Sequence, residues 1–292
     1  MNPVLNEWIE LILRWSHVFA GILWVGSTFY FTWLDGRFEE LAKEPEKPGE
    51  KKFIWMVHSG GFYAVEKQKV PQLMPATLHW FKWEAAFTWL TGVLLFGLLY
   101  WHGKLLTSLE ETASDRWATL FPKCAAPGWM TPVLGFMTDH YLLVSLGLIL
   151  AGWVIYDVLL GKVFKNNIAG VAVSFLLVVA LTLFCCIAFP GRGAYMQVGA
   201  ILGTIMAANV WMRILPAQRR MVAALRAGKE PNLDEGVRAK ARSKHNTFIV
   251  VPVVFLMISY HYPGTYGSRY NWIILSALVL VGWVAAKLIR RA

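Results

Sequence analysis

The chain has 292 residues, of which 57% are hydrophobic and only 16% are charged, and its mean hydropathy is +0.47. Soluble domains are about one quarter charged, so this composition excludes an ordinary soluble enzyme and a disordered chain. The formal net charge is +10. In a membrane protein the position of the charges matters more than their sum, so we expect no nucleic-acid partner. The composition predicts an all-α, polytopic membrane protein surrounded by lipid.

Seven apolar stretches, the sixth of them short, predict membrane-spanning helices, because a bilayer core requires about 20 residues of helix. In chain order they are 11–34, 83–101, 137–159, 168–189, 194–215, 247–262 and 272–289. The sequence therefore predicts a single transmembrane helical domain over residues 1–292. Its two long connecting loops are about 35–82 and 216–244.

The Lys and Arg residues of the loops are distributed unequally between the two sides of the membrane. Alternate loops hold 22 of them on one side and five on the other. Cytoplasmic loops carry the excess of positive charge, so the N-terminus is predicted outside and the C-terminus in the cytoplasm. Both long loops are then cytoplasmic.

Two histidines are predicted at the outer depth of different helices, which is the arrangement that a b-type haem requires. His17 lies in the first stretch and His261 at the outer end of the sixth, and we expect them to be the axial ligands of the haem iron. Arg14 lies three residues before His17, where it could pair with a haem propionate. The alternative is a histidine bonded to a hydroxyl or carbonyl of a neighbouring helix. A covalent c-type haem is excluded, because no C-x-x-C-H motif occurs.

A second group of polar residues lies on the predicted cytoplasmic side. The candidates for proton transfer are His58, Glu84 and His245, and those for substrate contact are Trp80, Lys82, Asn246 and Thr247. Together they could line an anion-binding pocket, and the alternative is a positively charged loop with no site. His58 and His245 could also ligate a second haem, a choice that the sequence leaves open.

These stretches carry a resemblance to a known family. The matching motifs are Arg14-Trp-Ser-His17, Gly21-Ile-Leu-Trp-Val-Gly26, His58-Ser-Gly-Gly-Phe-Tyr63, Trp80-Phe-Lys-Trp-Glu84, Gly152-Trp-Val-Ile-Tyr-Asp157, Ala207-Ala-Asn209, His245-Asn246, Ser259-Tyr-His261-Tyr-Pro263 and Tyr270-Asn-Trp272. In this order they resemble the membrane domain of the bacterial membrane-bound urate hydroxylases, also called cytochrome-linked urate oxidases.

The resemblance implies oxidation of urate to 5-hydroxyisourate in purine catabolism, with electrons passing to a cytochrome c. It adds Asn209 to the candidate substrate-binding residues. In the family the cytochrome is often a C-terminal domain of the same chain. This sequence ends at Ala292, so we expect a separate cytochrome or a truncated chain. The alternatives are a b-type cytochrome that links a quinol to another carrier, and a non-catalytic transporter.

Overall fold

The computed structural model describes residues 2–44, 52–68, 70–71, 75–108, 110–159 and 167–290. Within these ranges, six helices are long and apolar enough to cross a membrane. They span Pro3–Leu41, Trp83–His102, Tyr141–Val158, Ala169–Ala188, Gly191–Arg226 and Asn271–Ile289. The protein is therefore an all-α polytopic membrane protein, as predicted. Among the basic residues counted above, Lys47, Lys51, Lys69, Lys162, Lys165 and Arg291 lie outside the described residues.

The elements follow the predicted stretches closely and add several short ones. The long helices are α1 (Pro3–Leu41), α2 (Trp83–Phe96), α5 (Tyr141–Val158), α6 (Asn167–Ala188), α7 (Gly191–Ala208), α9 (Leu233–Ser259) and α11 (Asn271–Ile289). The shorter helices are α3 (Ala113–Leu120), α4 (Thr131–Asp139), α8 (Leu215–Arg226) and α10 (Pro263–Tyr266). Two π-helical segments, Gly97–His102 and Asn209–Ile214, continue α2 and α7.

The predicted sixth stretch, 247–262, is not a helix of its own but the C-terminal half of α9. This helix begins at Leu233, where the Asn232 side chain accepts a hydrogen bond from the backbone of Asp234 at 3.0 Å. Its first half is rich in charged residues and its apolar half is short. For this reason the six candidate spans do not include α9, although it packs against α7 and α11.

The core of the bundle surrounds α7, which is the most completely buried helix. It packs against α5, α6 and α9, and its apolar side chains meet those of α11 in one large cluster. Helices α1 and α2 pack along each other at the edge of the bundle, and α1 buries little of its surface. This arrangement brings together the ends of α5, α7 and α9 that the charge distribution predicts to be cytoplasmic.

A β-hairpin, which the sequence did not predict, follows α1. Strand β1 (Ile54–His58) pairs antiparallel with β2 (Gly61–Val65), and His58 faces Gly61 at the turn. Ser59 and Gly60 form the two-residue turn with φ values of 50° and 78°. Two positive φ values are typical of the type I′ turn that matches the twist of paired strands.

Candidate functional site

A buried hydrogen-bonded network joins three helices at one end of the bundle. Tyr156 at the end of α5 lies with its hydroxyl 2.9 Å from Nδ1 of His245 on α9. Asn209, the first residue of the π segment after α7, donates from Nδ2 to the same hydroxyl at 2.8 Å and to Oδ1 of Asn246 at 2.9 Å. Asn246 in turn donates to the backbone carbonyl of Met206 at 3.0 Å. We call Tyr156, Asn209, His245 and Asn246 the inner network.

The Met206 carbonyl fixes the direction of the amide bonds in the inner network. A carbonyl only accepts, so Nδ2 of Asn246 faces it and Oδ1 of Asn246 must accept from Asn209. The second hydrogen of Asn209 Nδ2 then goes to the Tyr156 oxygen. Among the described contacts, Nδ1 of His245 is the acceptor that the Tyr156 hydrogen can reach, so we assign the hydrogen of neutral His245 to Nε2.

The same reasoning leaves one acceptor of the network without a donor. Asn209 is fully buried, and its Oδ1 has no hydrogen-bond partner among the described residues. A buried acceptor without a donor costs about 1–3 kcal/mol. Such a cost is typical of positions that are retained for function, and π-helical segments such as the one that Asn209 begins are frequent at functional sites.

Charged side chains border the inner network on its exposed side. Asp157 forms ion pairs with Arg213 and with Arg242, whose Nη2 lies 2.8 Å from the Asp157 carboxylate. The guanidinium of Arg242 also lies over the Tyr156 ring at 5.0 Å. His245 lies outside the six candidate spans. Burial, followed by the charges of Arg242 and Lys244, lowers the pKa of His245 to about 4. His245 is therefore neutral at pH 7.

Trp80 and the start of α2 pack against the π segment next to Asn209. Ala85, Val210 and Leu215 form a small apolar cluster, and Trp80 covers it. Glu84 precedes Ala85 in the first turn of α2 and is partly buried. The ammonium of Lys82 lies over the ring of Trp83 at 5.1 Å. The segment that leads into α2 and the first turn of this helix thus pack beside the inner network. They contain the predicted residues Trp80, Lys82 and Glu84.

Two other predicted inner residues are placed differently. Thr247 is buried, and its hydroxyl lies 3.3 Å from that of Thr32 on α1, so it joins α9 to α1. His58 ends β1 at the hairpin turn and is exposed. No contact among the described residues joins His58 to His245, so the structure does not bring the two together.

His17 faces α2 from the middle of α1. Its Nδ1 lies 2.9 Å from the carbonyl of Thr88 and 3.2 Å from the hydroxyl of Thr91. Because the carbonyl only accepts, Nδ1 carries the hydrogen and Nε2 of the neutral ring keeps its lone pair. Histidines that bind metal ions are held in the same way, by a second-shell acceptor on the other nitrogen. His17 therefore fits the role of an axial ligand.

A glycine makes room for the His17 ring. A Cβ atom on Gly92 would lie 2.9 Å from Cε1 of His17, closer than real Cβ contacts allow. The ring thus packs directly on the backbone of α2, one turn beyond the carbonyl that holds it. This close approach fixes the position of the imidazole, and the Thr88 carbonyl fixes its tautomer.

Arg14, in the N-terminal third of α1, and His261, two residues beyond the end of α9, belong to a separate polar cluster. Arg14 donates to Glu10 at 2.9 Å and to the hydroxyl of Tyr260 at 2.5 Å, and Arg192 lies over the Tyr260 ring at 5.0 Å. His261 is exposed and its ring lies 3.8 Å from that of Tyr260. No contact among the described residues joins His261 to His17. The cation of Arg14 is already paired with Glu10.

Tyr156 belongs to one of the matching motifs, but the sequence predicted no role for it. The Tyr-Asp pair at the end of an apolar stretch was the available signal, because both side chains are too polar for the hydrocarbon core. Among the described residues, no group of three or more His, Cys, Asp or Glu side chains could hold a metal ion.

One family model matches nearly the whole length of the chain. The model of the family "Urate oxidase N-terminal" matches residues 3–125 and 131–291. No curated protein and no solved structure gives a significant match. The two matched ranges include every residue of the inner network and His17. The chain therefore belongs to the urate oxidase N-terminal family.

Proposed function

We propose that the protein is an integral-membrane urate oxidase that converts urate to 5-hydroxyisourate in purine catabolism. The reaction adds the oxygen of one water to C5 of urate and releases two protons and two electrons. The observation that carries the proposal is the inner network, which presents a neutral histidine in a fixed tautomer beside a cluster of arginines. Membership of the urate oxidase N-terminal family supports the choice of substrate.

His245 is the proposed contact to urate, which is an anion at neutral pH. Its Nε2–H donates a hydrogen bond, and Arg242 and Lys244 make the local potential positive. A neutral donor in a positive field binds an anion without the cost of burying a further charge. Trp80 and Lys82, at the neighbouring start of α2, provide an aromatic face and a second cation.

Tyr156, Asn209 and Asn246 act as positioning residues in this proposal. Asn209 and Asn246 are buried and bonded to protein atoms, so they act on urate through His245. Thr247, the next residue after Asn246, contacts Thr32 and stabilises the packing of α9 against α1. The unpaired Oδ1 of Asn209 is a place for one water.

Glu84 is the proposed base. The tautomer of His245 makes this histidine a donor, and His58 is exposed on the hairpin, so neither is suited to remove a proton from the substrate. Glu84 is partly buried next to Ala85, which packs against Val210 beside Asn209. A carboxylate in this position can accept the proton released from urate or water.

A b-type haem is part of the proposal, and His17 would hold its iron, with His261 as the candidate for a second ligand. When bound, such a haem supplies one-electron redox chemistry. The tautomer and the packing of His17 support its role, whereas His261 is exposed and already stacked on Tyr260. A second haem on His58 and His245 has no comparable support. We propose a cytochrome c as the final acceptor and the bacterial inner membrane as the location.

The experiment is a urate-dependent assay of cytochrome c reduction with the purified protein in lipid vesicles. His245→Leu should reduce kcat/KM about tenfold to a hundredfold, because one hydrogen bond to a charged group contributes about 1.5–3 kcal/mol. His245→Gln, which keeps a donor, should recover part of the loss. The matched control is His102→Leu, which changes a histidine at the end of the first π segment.

Normal urate turnover in His245→Leu would contradict the site. Reduction by a quinol but not by urate would favour the b-type cytochrome instead. An absence of any redox activity, together with urate uptake into the vesicles, would favour the transporter.

A further inference from the structure

The β-hairpin carries an apolar face that no other described residue covers. The strand register places Trp55, Val57, Phe62 and Ala64 on this face, which we call the hairpin face. Trp55 is 69% exposed, Val57 is 68% exposed and Phe62 is 81% exposed. Large apolar side chains side by side at such exposure mark an interaction surface.

The opposite face of the hairpin lies against α1, and its contacts reveal the direction in which the hairpin points. At the open end, Lys52 donates to the carbonyl of Leu41 at 2.7 Å and Lys67 pairs with Asp35. Nearer the turn, the hydroxyl of Tyr30 contacts the sulfur of Met56 at 3.6 Å. From its open end to its turn, the hairpin therefore follows α1 from Leu41 back to Tyr30.

This direction leads from the polar end of α1 into its apolar part. Tyr30 belongs to the apolar stretch 11–34, whereas Asp35 and Leu41 lie beyond it. Tyr30 and Phe31 are themselves 43% and 42% exposed, on a helix that is apolar and long enough to span the membrane. The lipid-facing surface of α1 thus continues onto the hairpin at the same level.

We propose that the hairpin face is a lipid-binding surface that rests in the headgroup region of the bilayer. Tryptophan and other aromatic side chains favour this region, where an apolar ring meets polar groups. Each strand of a two-stranded sheet also has one edge without backbone partners, and such an edge is not tolerated in the hydrocarbon core. Headgroup depth satisfies both conditions. This inference is independent of the urate reaction.

The test measures the surroundings of single nitroxide labels on the full chain in vesicles of phosphatidylcholine and phosphatidylglycerol. The labels are introduced by W55C, V57C and F62C on the hairpin face, and the matched control is Q68C, an exposed position beyond β2. The background carries Cys124→Ser, because Cys124 is the exposed cysteine and Cys185 and Cys186 are buried. Retention of the wild-type elution profile shows that each labelled protein is folded.

For all three hairpin labels, we expect oxygen, which concentrates in lipid, to relax the nitroxide more than a water-soluble nickel chelate does. The order should be reversed for Q68C. Stronger relaxation by the nickel chelate at the hairpin positions would overturn the proposal by placing the face in water. Protection from both reagents would also overturn it, because the face would then be covered by protein, either a second copy of the chain or another partner.

Discussion

At the scale of single residues, two histidines differ in the hydrogen that each ring carries. The Nδ1 of His17 faces a carbonyl, which forces a hydrogen onto that nitrogen. The Nδ1 of His245 faces a tyrosine hydroxyl that contacts no other acceptor among the described residues, which assigns the hydrogen of His245 to Nε2. The sequence places both residues on helices but cannot show these partners, because Thr88 and Tyr156 are more than 70 positions away from the histidines they contact.

Gly92→Ala tests whether haem binding requires the close packing of His17 on α2. The added Cβ would meet the ring at 2.9 Å, and overpacking of this kind costs about 1–3 kcal/mol. The variant should bind less haem per mole of purified protein, and His17→Ala should bind less still. Gly21→Ala is the control at the same pair of helices, because its Cβ would lie 3.9 Å from Thr88, an ordinary contact. Wild-type haem content in both Gly92→Ala and His17→Ala would remove His17 from the haem site.

The low pKa of His245 predicts a dependence of stability on pH. The ordinary pKa of histidine is 6.5, and that of His245 in the folded protein is about 4. Between these values the unfolded chain binds the proton and the folded protein does not, so stability from this residue is present above about pH 6.5 and is lost as the pH falls toward about 4. The melting temperature of the wild type should therefore fall more than that of His245→Gln between about pH 7 and pH 5. Equal losses would show that His245 titrates normally.

At the scale of elements, the apolar stretches predicted where the long helices lie, although α1 extends beyond the predicted 11–34 at both ends, and the hairpin was missed. Each strand has only five residues, and the Ile54-Trp-Met-Val-His58 segment is apolar on both faces of the strand, so no alternation marks it. The predicted sixth span, 247–262, was also shorter than the helix that contains it. The hydropathy of α9 falls at Asn246 and His245, whereas its backbone continues as a helix to Leu233 because α7, α8 and α11 pack around it.

Asp157 connects three of these elements, and Asp157→Ala tests the connection. Its carboxylate pairs with Arg213 of the π segment and with Arg242 of α9, whose side chain is only 11% exposed. Loss of the carboxylate leaves a nearly buried cation without its partner, and we expect a destabilisation of about 3 kcal/mol, seen as a lower melting temperature. Glu39→Ala removes the exposed ion pair with Lys240 and should cost about 1 kcal/mol or less. Equal effects of the two variants would rule out a structural role for the Asp157 pairs.

At the scale of the whole molecule, the sequence was informative about the helical framework and the family, and less so about the site. Nine separated motifs pointed to the same family, and composition alone pointed to the membrane. Of the candidate inner residues, His245, Asn246 and Asn209 meet in the structure, whereas His58 lies on the hairpin. Motif order does not encode which helices face each other, and that choice decides which polar residues share a site.

The unequal distribution of Lys and Arg predicts the orientation of the whole protein. A reporter enzyme inserted after Lys229, in the exposed connection between α8 and α9, should be active in the cytoplasm. The sixth predicted stretch, 247–262, is expected to cross the membrane, so the two ends of α9 are predicted on opposite sides. Periplasmic activity of the reporter would reverse the sides and place the inner network outside. A second reporter at the N-terminus, expected to be periplasmic, serves as the internal control.

The direction of the bonds in the inner network has a consequence for the energetics of the cell. A membrane that stores a proton-motive force must not contain a continuous path for protons, yet a network of polar groups between helices could provide one. Here the network ends in two amides and the Met206 carbonyl, and amide groups neither take up nor release protons at physiological pH. Under the proposed function, protons released beside His245 therefore have no path through these two amides. The network holds its histidine in place without providing a path for protons between the helices.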